Sequence, residues 1–456
     1  MRIAVVGGGV SGLTAAYRLR RRFGDGATIT VFESGETLGG KLRTVELAGL
    51  RFDVGAEAFV VRRPEARELA EELGLELTHP TGARSTLRAG GQQVGMPGGT
   101  VMGVPASAGS VAGLLSDDGR RRVAAEAGLP PVSLEGDVSL GALLRERFGD
   151  ELVDRLVDPL LGGVYAGGAD GLGLRATLPG LATALDSGAS TLTAAAASQL
   201  PTSPTPGPVF GTLRGGLGTL VDRLVELGKP EIRLSTLVKG LRRRPEGWTL
   251  ELTDEAVDVD AVLLAVPAPA ARRLLEPVVP AASAALGEVE LASMAVVALA
   301  FPPGTELPGA SGVLIGAKER YPDGKPLAAK AFTFSSRKWA HLDGGPVLVR
   351  GSVGRFGEPG ALRADDDELV RLVRADLAEL AGVTAEPIDV RVTRWGGGLP
   401  QYGVGHLDLV DRVERAVADV PGLEITGATF HGVGIPACVD TATRAASRIT
   451  SGAGRG

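Results

Sequence analysis

Cysteine, histidine and aromatic residues are scarce in this chain of 456 residues. Its one cysteine, Cys438, excludes internal disulfides and every site built from several thiolates, and is typical of a reducing compartment. Its four histidines argue against a histidine-rich metal centre, so we expect no metal. The 48 Lys and Arg are outnumbered by 54 Asp and Glu, and this net charge of −6 argues against nucleic-acid binding.

Long apolar runs are also missing. No uncharged apolar run reaches the roughly 18 residues of a membrane span, and the opening MRIAVVGGG is too short and too glycine-rich for a signal peptide. We therefore expect no transmembrane segment and a cytoplasmic protein, and we leave peripheral membrane contact open. With 44% apolar residues the chain can bury a core, and its length allows two or three domains of roughly 150 residues each.

Glycine is abundant, and its placement is informative from the start. The pattern G-x-G-x-x-G is formed by Gly7, Gly9 and Gly12. It follows a short β-branched segment and precedes an amphipathic one, as in a strand, turn and helix. The first glycine permits the sharp turn, the second lets the backbone approach a pyrophosphate, and the third lets the helix pack closely. A second strand, ATITVFES, ends at Glu33, at the offset expected for an acid that binds ribose hydroxyls. This order predicts a Rossmann-type dinucleotide site.

The segment after the second strand favours FAD over NAD. It reads LGGKLRT and then FDVGAEAF, an extension that an NAD-binding unit does not need. The string resembles the double-glycine signature of flavin amine oxidase-like enzymes, in which these glycines pass near the FAD pyrophosphate.

Two further strings narrow the resemblance. In RWGGGLPQYGVGH, Trp395, Pro400, Gln401, Tyr402 and His406 match the pattern R-W-x-x-x-x-P-Q-Y-x-x-G-H, and the closing GATFHGVGIPACVDTA matches a second pattern of the same group. Both resemble the FAD-dependent porphyrinogen oxidases, the coproporphyrinogen III oxidases of bacteria and the protoporphyrinogen IX oxidases. The resemblance covers nearly the whole chain.

The resemblance implies an α/β fold with three parts. The first is a discontinuous Rossmann-type FAD-binding domain, with a mainly helical cap and a substrate domain built on a mixed β-sheet. A proline-rich connector, PTSPTPGPVFG, ends the cap, and RGGLG marks the return to the FAD-binding domain. The predicted boundaries are 1–62, 209–284 and 391–456 for the FAD-binding domain, 63–208 for the cap and 285–390 for the substrate domain.

The resemblance also implies a set of residues that hold FAD without a covalent bond. They are Gly7, Gly8, Gly9, Val10, Ser11, Gly12, Glu33, Ser34, Gly39, Gly40, Lys41, Gly55, Ala56, Val238, Trp395, Val433, Gly434 and Ile435. The last three are expected to run along the flavin ring, and the following helix would then stabilise negative charge on reduced flavin. Cys438 alone permits a nucleophile, a metal ligand or a covalent flavin anchor, but a packed small residue is the favoured interpretation.

The implied reaction is the oxygen-dependent oxidation of coproporphyrinogen III to coproporphyrin III in haem biosynthesis. Six electrons would leave in three FAD cycles, each passing a hydride to flavin N5 and ending with O2 reduced to H2O2, so no side chain is predicted to be catalytic. The product could pass to a ferrochelatase. Protoporphyrinogen IX oxidase, a flavin amine oxidase or desaturase, and a non-catalytic flavoprotein or porphyrin carrier remain alternatives.

Four cations lie in or near the predicted strands of the substrate domain. They could sit at solvated strand edges, or they could line a pocket for substrate carboxylates. These residues are Lys330, Arg337, Lys338 and Arg350.

Overall fold

The computed structural model describes residues 1–201 and 207–450. Residues 202–206, within the predicted proline-rich connector and the end of the predicted cap, lie outside the described residues, as do residues 451–456. In the described ranges the strands are β1 (Arg2–Val6), β2 (Thr28–Phe32), β3 (Thr44–Leu47), β4 (Leu50–Asp53), β5 (Phe59–Val60), β6 (Leu77–Thr78), β7 (Thr86–Ala89), β8 (Gln92–Gly95), β9 (Thr100–Val101), β10 (Val104–Pro105), β11 (Phe210–Leu213), β12 (Glu231–Arg233), β13 (Gly240–Arg244), β14 (Gly247–Glu251), β15 (Ala256–Val259), β16 (Ala261–Leu264), β17 (Leu291–Phe301), β18 (Gly312–Ile315), β19 (Ala329–Phe334), β20 (Val347–Val353), β21 (Asp389–Pro400) and β22 (Leu423–Ile425).

The α-helices of the same ranges are α1 (Val10–Phe23), α2 (Pro64–Glu72), α3 (Asp117–Ala125), α4 (Leu140–Phe148), α5 (Asp150–Leu152), α6 (Asp158–Tyr165), α7 (Leu174–Thr177), α8 (Pro179–Asp186), α9 (Leu192–Ser198), α10 (Gly218–Gly228), α11 (Ala268–Leu275), α12 (Pro280–Leu286), α13 (Ser335–Lys338), α14 (Asp366–Ala381), α15 (His406–Ala418) and α16 (Ile435–Arg448). Within the described parts of the chain, no helix combines the length and the apolar character needed to cross a membrane.

A five-stranded parallel sheet forms the centre of the predicted FAD-binding domain (the cofactor domain). Its strand order is β12-β2-β1-β16-β22. The central strands β1 and β16 are apolar runs that are buried on both faces, as expected for parallel strands covered by helices. Helices α1, α10 and α16 cover one face, while the antiparallel sheet β13-β14-β15 and helices α11, α12 and α15 pack on the other. Because these strands come from three distant parts of the chain, the predicted discontinuous Rossmann-type fold is confirmed.

A seven-stranded sheet forms the second layer. Its order is β21-β17-β20-β19-β18-β7-β8, and all neighbours are antiparallel except β18 and β7. One face packs against α14, which has Asp365 as its N-cap and Gly382 as its C-cap. The other face turns towards the cofactor domain, where Phe52 and Val54 pack against Ala298 and Leu348.

Three strands differ from the predicted division of the chain. Strands β7 and β8, inside the predicted helical cap, form a hairpin that extends the seven-stranded sheet. Strand β21, in the predicted cofactor domain, pairs along β17 at the other edge. The hairpin turns at Gly90 and Gly91, both with positive φ, and buries Leu87 and Ala89. Every second residue of β7 is buried, as expected for a strand. Four residues are a short pattern, however, and the helical periodicity of the segments on either side is stronger.

The cap itself is helical, as predicted, from α3 to α9. A π-helix, Val153–Val157, continues α5 into α6. The apolar residues Leu144, Phe148, Leu152 and Leu156 have no exposed surface, so their helical spacing reflects packing within the cap.

Candidate flavin-binding and active site

In the glycine turn between β1 and α1, two glycines lie tightly against backbone carbonyls and the third borders free space. Gly7 has φ +108°, and a Cβ there would lie 2.5 Å from the carbonyl oxygen of Ala265. A Cβ at Gly12 would overlap the carbonyl oxygen of Gly7. At Gly9, the residue that caps α1, an added Cβ meets no atom within 4 Å. The second glycine therefore faces free space at the N-terminus of a helix, the position where a phosphate would bind.

Glu33 lies at the end of β2, beside this turn. Its carboxylate accepts hydrogen bonds from the backbone N–H of Gly8 and of Gly35, both at 2.7 Å, while Ser34 next to it is exposed. Val238 lies near the same edge, because the N–H of Thr236 donates to the carbonyl of Glu33 at 2.8 Å. The predicted ribose acid and the predicted adenine contact are thus brought to the same edge of the sheet.

The double glycine runs directly past the turn. Gly39 forms an isolated parallel bridge with Gly9, and a Cβ at Gly40 would lie 3.3 Å from the Cα of Gly9. Lys41 follows, and its carbonyl accepts a hydrogen bond from the N–H of Ala56 at 2.9 Å. A Cβ at Gly55 would overlap that carbonyl, so this glycine is required by packing. Burial lowers the pKa of the Lys41 ammonium, because desolvation disfavours the charged form.

Helix α16 begins beside α1. Its capping residue, Gly434, has φ −72°, and a Cβ there meets only the Pro436 ring, at 3.7 Å. Helices α1 and α16 pack against each other, and Ser11, in the first turn of α1, lies close enough to Cys438, in the first turn of α16, to affect the pKa of its thiol. The N-termini of two packed helices therefore open onto the same space, which gives it a positive partial charge. Of the other predicted residues, Val10, Ser11 and Ile435 are buried in the helix starts, and Val433 packs against the cap.

Cys438 is a packed thiol. It is 4% exposed, and burial raises the pKa of the thiol, whereas a nucleophile or metal ligand needs a lowered one. In the parts of the chain that the structure describes, no group of three or more His, Cys, Asp or Glu could hold a metal ion.

Trp395 packs against Val54 and Gly55. Its indole N–H donates to the carbonyl of Val54 at 3.1 Å, and its ring would lie 3.1 Å from a Cβ at Gly55. Since β21 carries Trp395, this contact ties the edge of the seven-stranded sheet to the cofactor domain.

A buried ion triad lies beneath the same loop. Arg350 donates to the carbonyl of Gly55 at 2.6 Å and to the carboxylate of Glu57 at 3.1 Å, and Lys338 also pairs with Glu57. Burial would raise the pKa of Glu57, but the two cations hold it below its usual value. Lys338 and Arg350 are therefore neither solvated strand edges nor free for a substrate carboxylate. Arg337 is exposed.

Two aromatic residues hold the loop before α16, and their role was not predicted. The hydroxyl of Tyr402 donates to the carbonyl of Ala428 at 2.6 Å and accepts from the N–H of Gly432 at 2.9 Å. His406 Nε2 lies 3.2 Å from the carbonyl of Phe430. Burial lowers the pKa of His406 to about 4, so the ring is neutral at pH 7 and Nε2–H is the donor. The motif that contains both residues was visible in the sequence, but partners 24 to 30 residues away were not.

Comparison with known proteins agrees with this geometry. A family model described as flavin containing amine oxidoreductase matches residues 10–450. The chain therefore belongs to the family of flavin containing amine oxidoreductases, and it is a flavin-dependent oxidoreductase.

Within that family the chain is similar to particular enzymes. The coproporphyrinogen III oxidase of Mycobacterium leprae (strain TN) is 47% identical over 97% of this chain and 96% of its own length. That of Bacillus subtilis (strain 168) is 33% identical over 98% of this chain and 97% of its own length. A crystal structure from Exiguobacterium sp. 255-15, assigned provisionally as a protoporphyrinogen oxidase, superposes with a TM-score of 0.86 at 33% identity and covers 98% of both chains. The resemblance to porphyrinogen oxidases is confirmed.

Proposed function

We propose that this protein catalyses the oxygen-dependent oxidation of coproporphyrinogen III to coproporphyrin III, with FAD as its cofactor, in haem biosynthesis. The observation that carries the proposal is the similarity to coproporphyrinogen III oxidases along almost the entire chain, with 47% identity over 97% of its residues to the Mycobacterium leprae enzyme. The open glycine positions at the starts of α1 and α16 support a bound dinucleotide at the site that the sequence predicts.

The FAD would be held by three groups of residues. The glycine turn and the first residues of α1 suit the pyrophosphate, because their N–H groups and the helix N-terminus favour anions. Glu33 and Val238 suit the ribose and the adenine. The loop before α16, the double glycine and Trp395 suit the flavin end. The buried, protonated state of Cys438 supports non-covalent binding.

Bound flavin would supply a two-electron acceptor for the tetrapyrrole, with O2 as the final acceptor of the electrons. The chain's own part is to bind, to orient and to exclude water. The positive end of helix α16 would lie at the predicted flavin position and would favour added negative charge there. Tyr402 and His406 fix the loop that carries Val433 and Gly434. No side chain is assigned as an acid or base.

The proposed substrate domain and cap would enclose a flat, largely apolar tetrapyrrole between the seven-stranded sheet and the helices α3 to α9. The proposed division follows the predicted boundaries except for β7, β8 and β21, which belong to the seven-stranded sheet of the substrate domain. O2 as acceptor, transfer of the product to a ferrochelatase and a cytoplasmic location are part of the same proposal.

Protoporphyrinogen IX oxidase is the second candidate, favoured by the provisional assignment of the Exiguobacterium structure. Steady-state rates on the two porphyrinogens under air decide between them. We expect higher kcat/KM for coproporphyrinogen III, with three molecules of H2O2 per coproporphyrin because six electrons leave in pairs. A clear preference for protoporphyrinogen IX would overturn the choice of substrate. An enzyme that oxidises an amine but neither porphyrinogen would overturn the reaction class.

A further inference from the structure

Strand β19 contains a bulge at Lys330. Ala329 pairs with Val353 and Ala331 pairs with the preceding residue of β20, Ser352, so Lys330 is the extra residue between them. Bulges of this kind re-aim a side chain and are frequent beside active sites.

The bulge turns Lys330 away from α14. Ala329 and Phe332 both belong to the apolar cluster that packs against α14. Side chains alternate along a strand, so the neighbour of each lies on the opposite face. Lys330 and Ala331 are these two neighbours, and both therefore lie on the face away from α14.

That face is the one turned towards the cofactor domain. Further along β19, Thr333 pairs directly with Arg350 of β20, and directly paired residues share a face. Arg350 reaches the carbonyl of Gly55, whose loop carries the predicted flavin contacts. Lys330 is thus a cation on the wall of the proposed substrate site.

The ammonium of Lys330 is buried and unpaired. The residue is 4% exposed, and among the described residues Nζ has no hydrogen-bond partner. Burial, together with the positive charge of Arg355, lowers the pKa of Lys330 to about 7. Asp376 lies on the α14 side, where it accepts from the N–H groups of Ala328 and Ala329. A buried ammonium without an anion is costly. The position therefore suits a negatively charged partner that comes from a bound ligand.

We propose that Lys330 binds a carboxylate of the substrate, a propionate of the tetrapyrrole, and so fixes the orientation of the ring over the cofactor. This inference rests on the proposed function. Lys338 and Arg350 fit the role less well, because Glu57 already pairs with both of them. The ammonium of Lys330, by contrast, keeps all its hydrogen-bond donors free within residues 1–201 and 207–450.

The test is binding of oxidised product by the holoenzyme, which needs no turnover. Coproporphyrin III and its tetra-amide, in which every carboxylate is a neutral amide, are titrated at pH 6.5 and porphyrin fluorescence is followed. Lys330→Met should weaken binding of the acid about 10- to 100-fold, the usual worth of a charge-assisted hydrogen bond, and leave the amide unchanged. Lys330→Arg should recover a large part of the loss.

Lys325→Met is the matched control. This lysine precedes β19 by a few residues, its side chain is 78% exposed, and it pairs with Asp323, so binding should not change. Equal weakening of acid and amide, or no weakening of the acid in Lys330→Met, would overturn the inference. Failure of the wild-type enzyme to oxidise either porphyrinogen would instead overturn the proposed function. Flavin absorbance per protein shows that each variant is folded and loaded.

Discussion

The phenol ring of Tyr402 lies stacked on the imidazole of His406, with ring centroids 3.9 Å apart and planes inclined by 14°. Each ring also makes polar contacts with the loop before α16. One stacked pair thus fixes a loop that lies about thirty residues further along the chain and carries the predicted flavin contacts.

Tyr402→Phe keeps the stack and removes both hydrogen bonds of the hydroxyl. Because the carbonyl of Ala428 and the N–H of Gly432 then lose their partner, we expect FAD affinity to fall about 10-fold, measured by flavin fluorescence on dilution of the holoenzyme. Tyr165→Phe is the control, since the hydroxyl of Tyr165 makes no such bond to the loop in the described structure. Unchanged FAD affinity in Tyr402→Phe would show that the loop holds its shape without the hydroxyl.

Gly434→Val tests whether the space beside α16 is the flavin site. The backbone there has φ −72° and an added Cβ meets only Pro436, so the protein should fold normally. If flavin occupies that space, its affinity should fall about 100-fold, and the purified protein should be colourless with unchanged far-UV circular dichroism. Gly82→Val, in an exposed loop with equally free space, should stay yellow. A yellow Gly434→Val protein would place the flavin elsewhere.

Cys438→Ala should retain FAD and most activity, because the thiol is a buried packing group. Acid precipitation should release all flavin into the supernatant from both the wild type and the variant. Flavin that remains with the wild-type pellet and is released from Cys438→Ala would instead identify a thioether bond.

Lys330 should make the stability of the substrate-free protein depend on pH. Its pKa is about 7 in the folded state against a usual value of 10.5, so the folded state binds fewer protons than the unfolded state between these values. Stability should therefore rise with pH in that window. We expect Lys330→Met to be more stable than the wild type near pH 7, and this difference to shrink by on the order of 1 kcal/mol per pH unit up to pH 9. Urea unfolding of both proteins at three pH values measures it. A constant difference would contradict a lysine whose pKa is lowered by burial.

Sequence patterns predicted the features of the site that are formed by residues close together in the chain. The turn at Gly7, Gly9 and Gly12, the acid Glu33 and the start of α16 at Gly434 each follow from the backbone requirements of neighbouring residues. Their assignment to FAD came from family resemblance.

The remaining features depend on contacts between distant segments. The hydrogen bond that Gly432 donates to Tyr402 and the ion pair of Glu57 with Arg350 join residues that no periodicity relates. The bulge at Lys330 likewise depends on pairing with β20. The same holds for β7, which is a strand because β18 lies beside it. Such pairings are set by tertiary packing, and a single sequence does not display them.

The most direct test of the account is anaerobic mixing of the yellow holoenzyme with coproporphyrinogen III. We predict that the visible flavin absorbance bleaches as the substrate is oxidised, and that admission of O2 restores it with formation of coproporphyrin III and H2O2. Flavin absorbance that stays unchanged with excess coproporphyrinogen III would contradict the central claim.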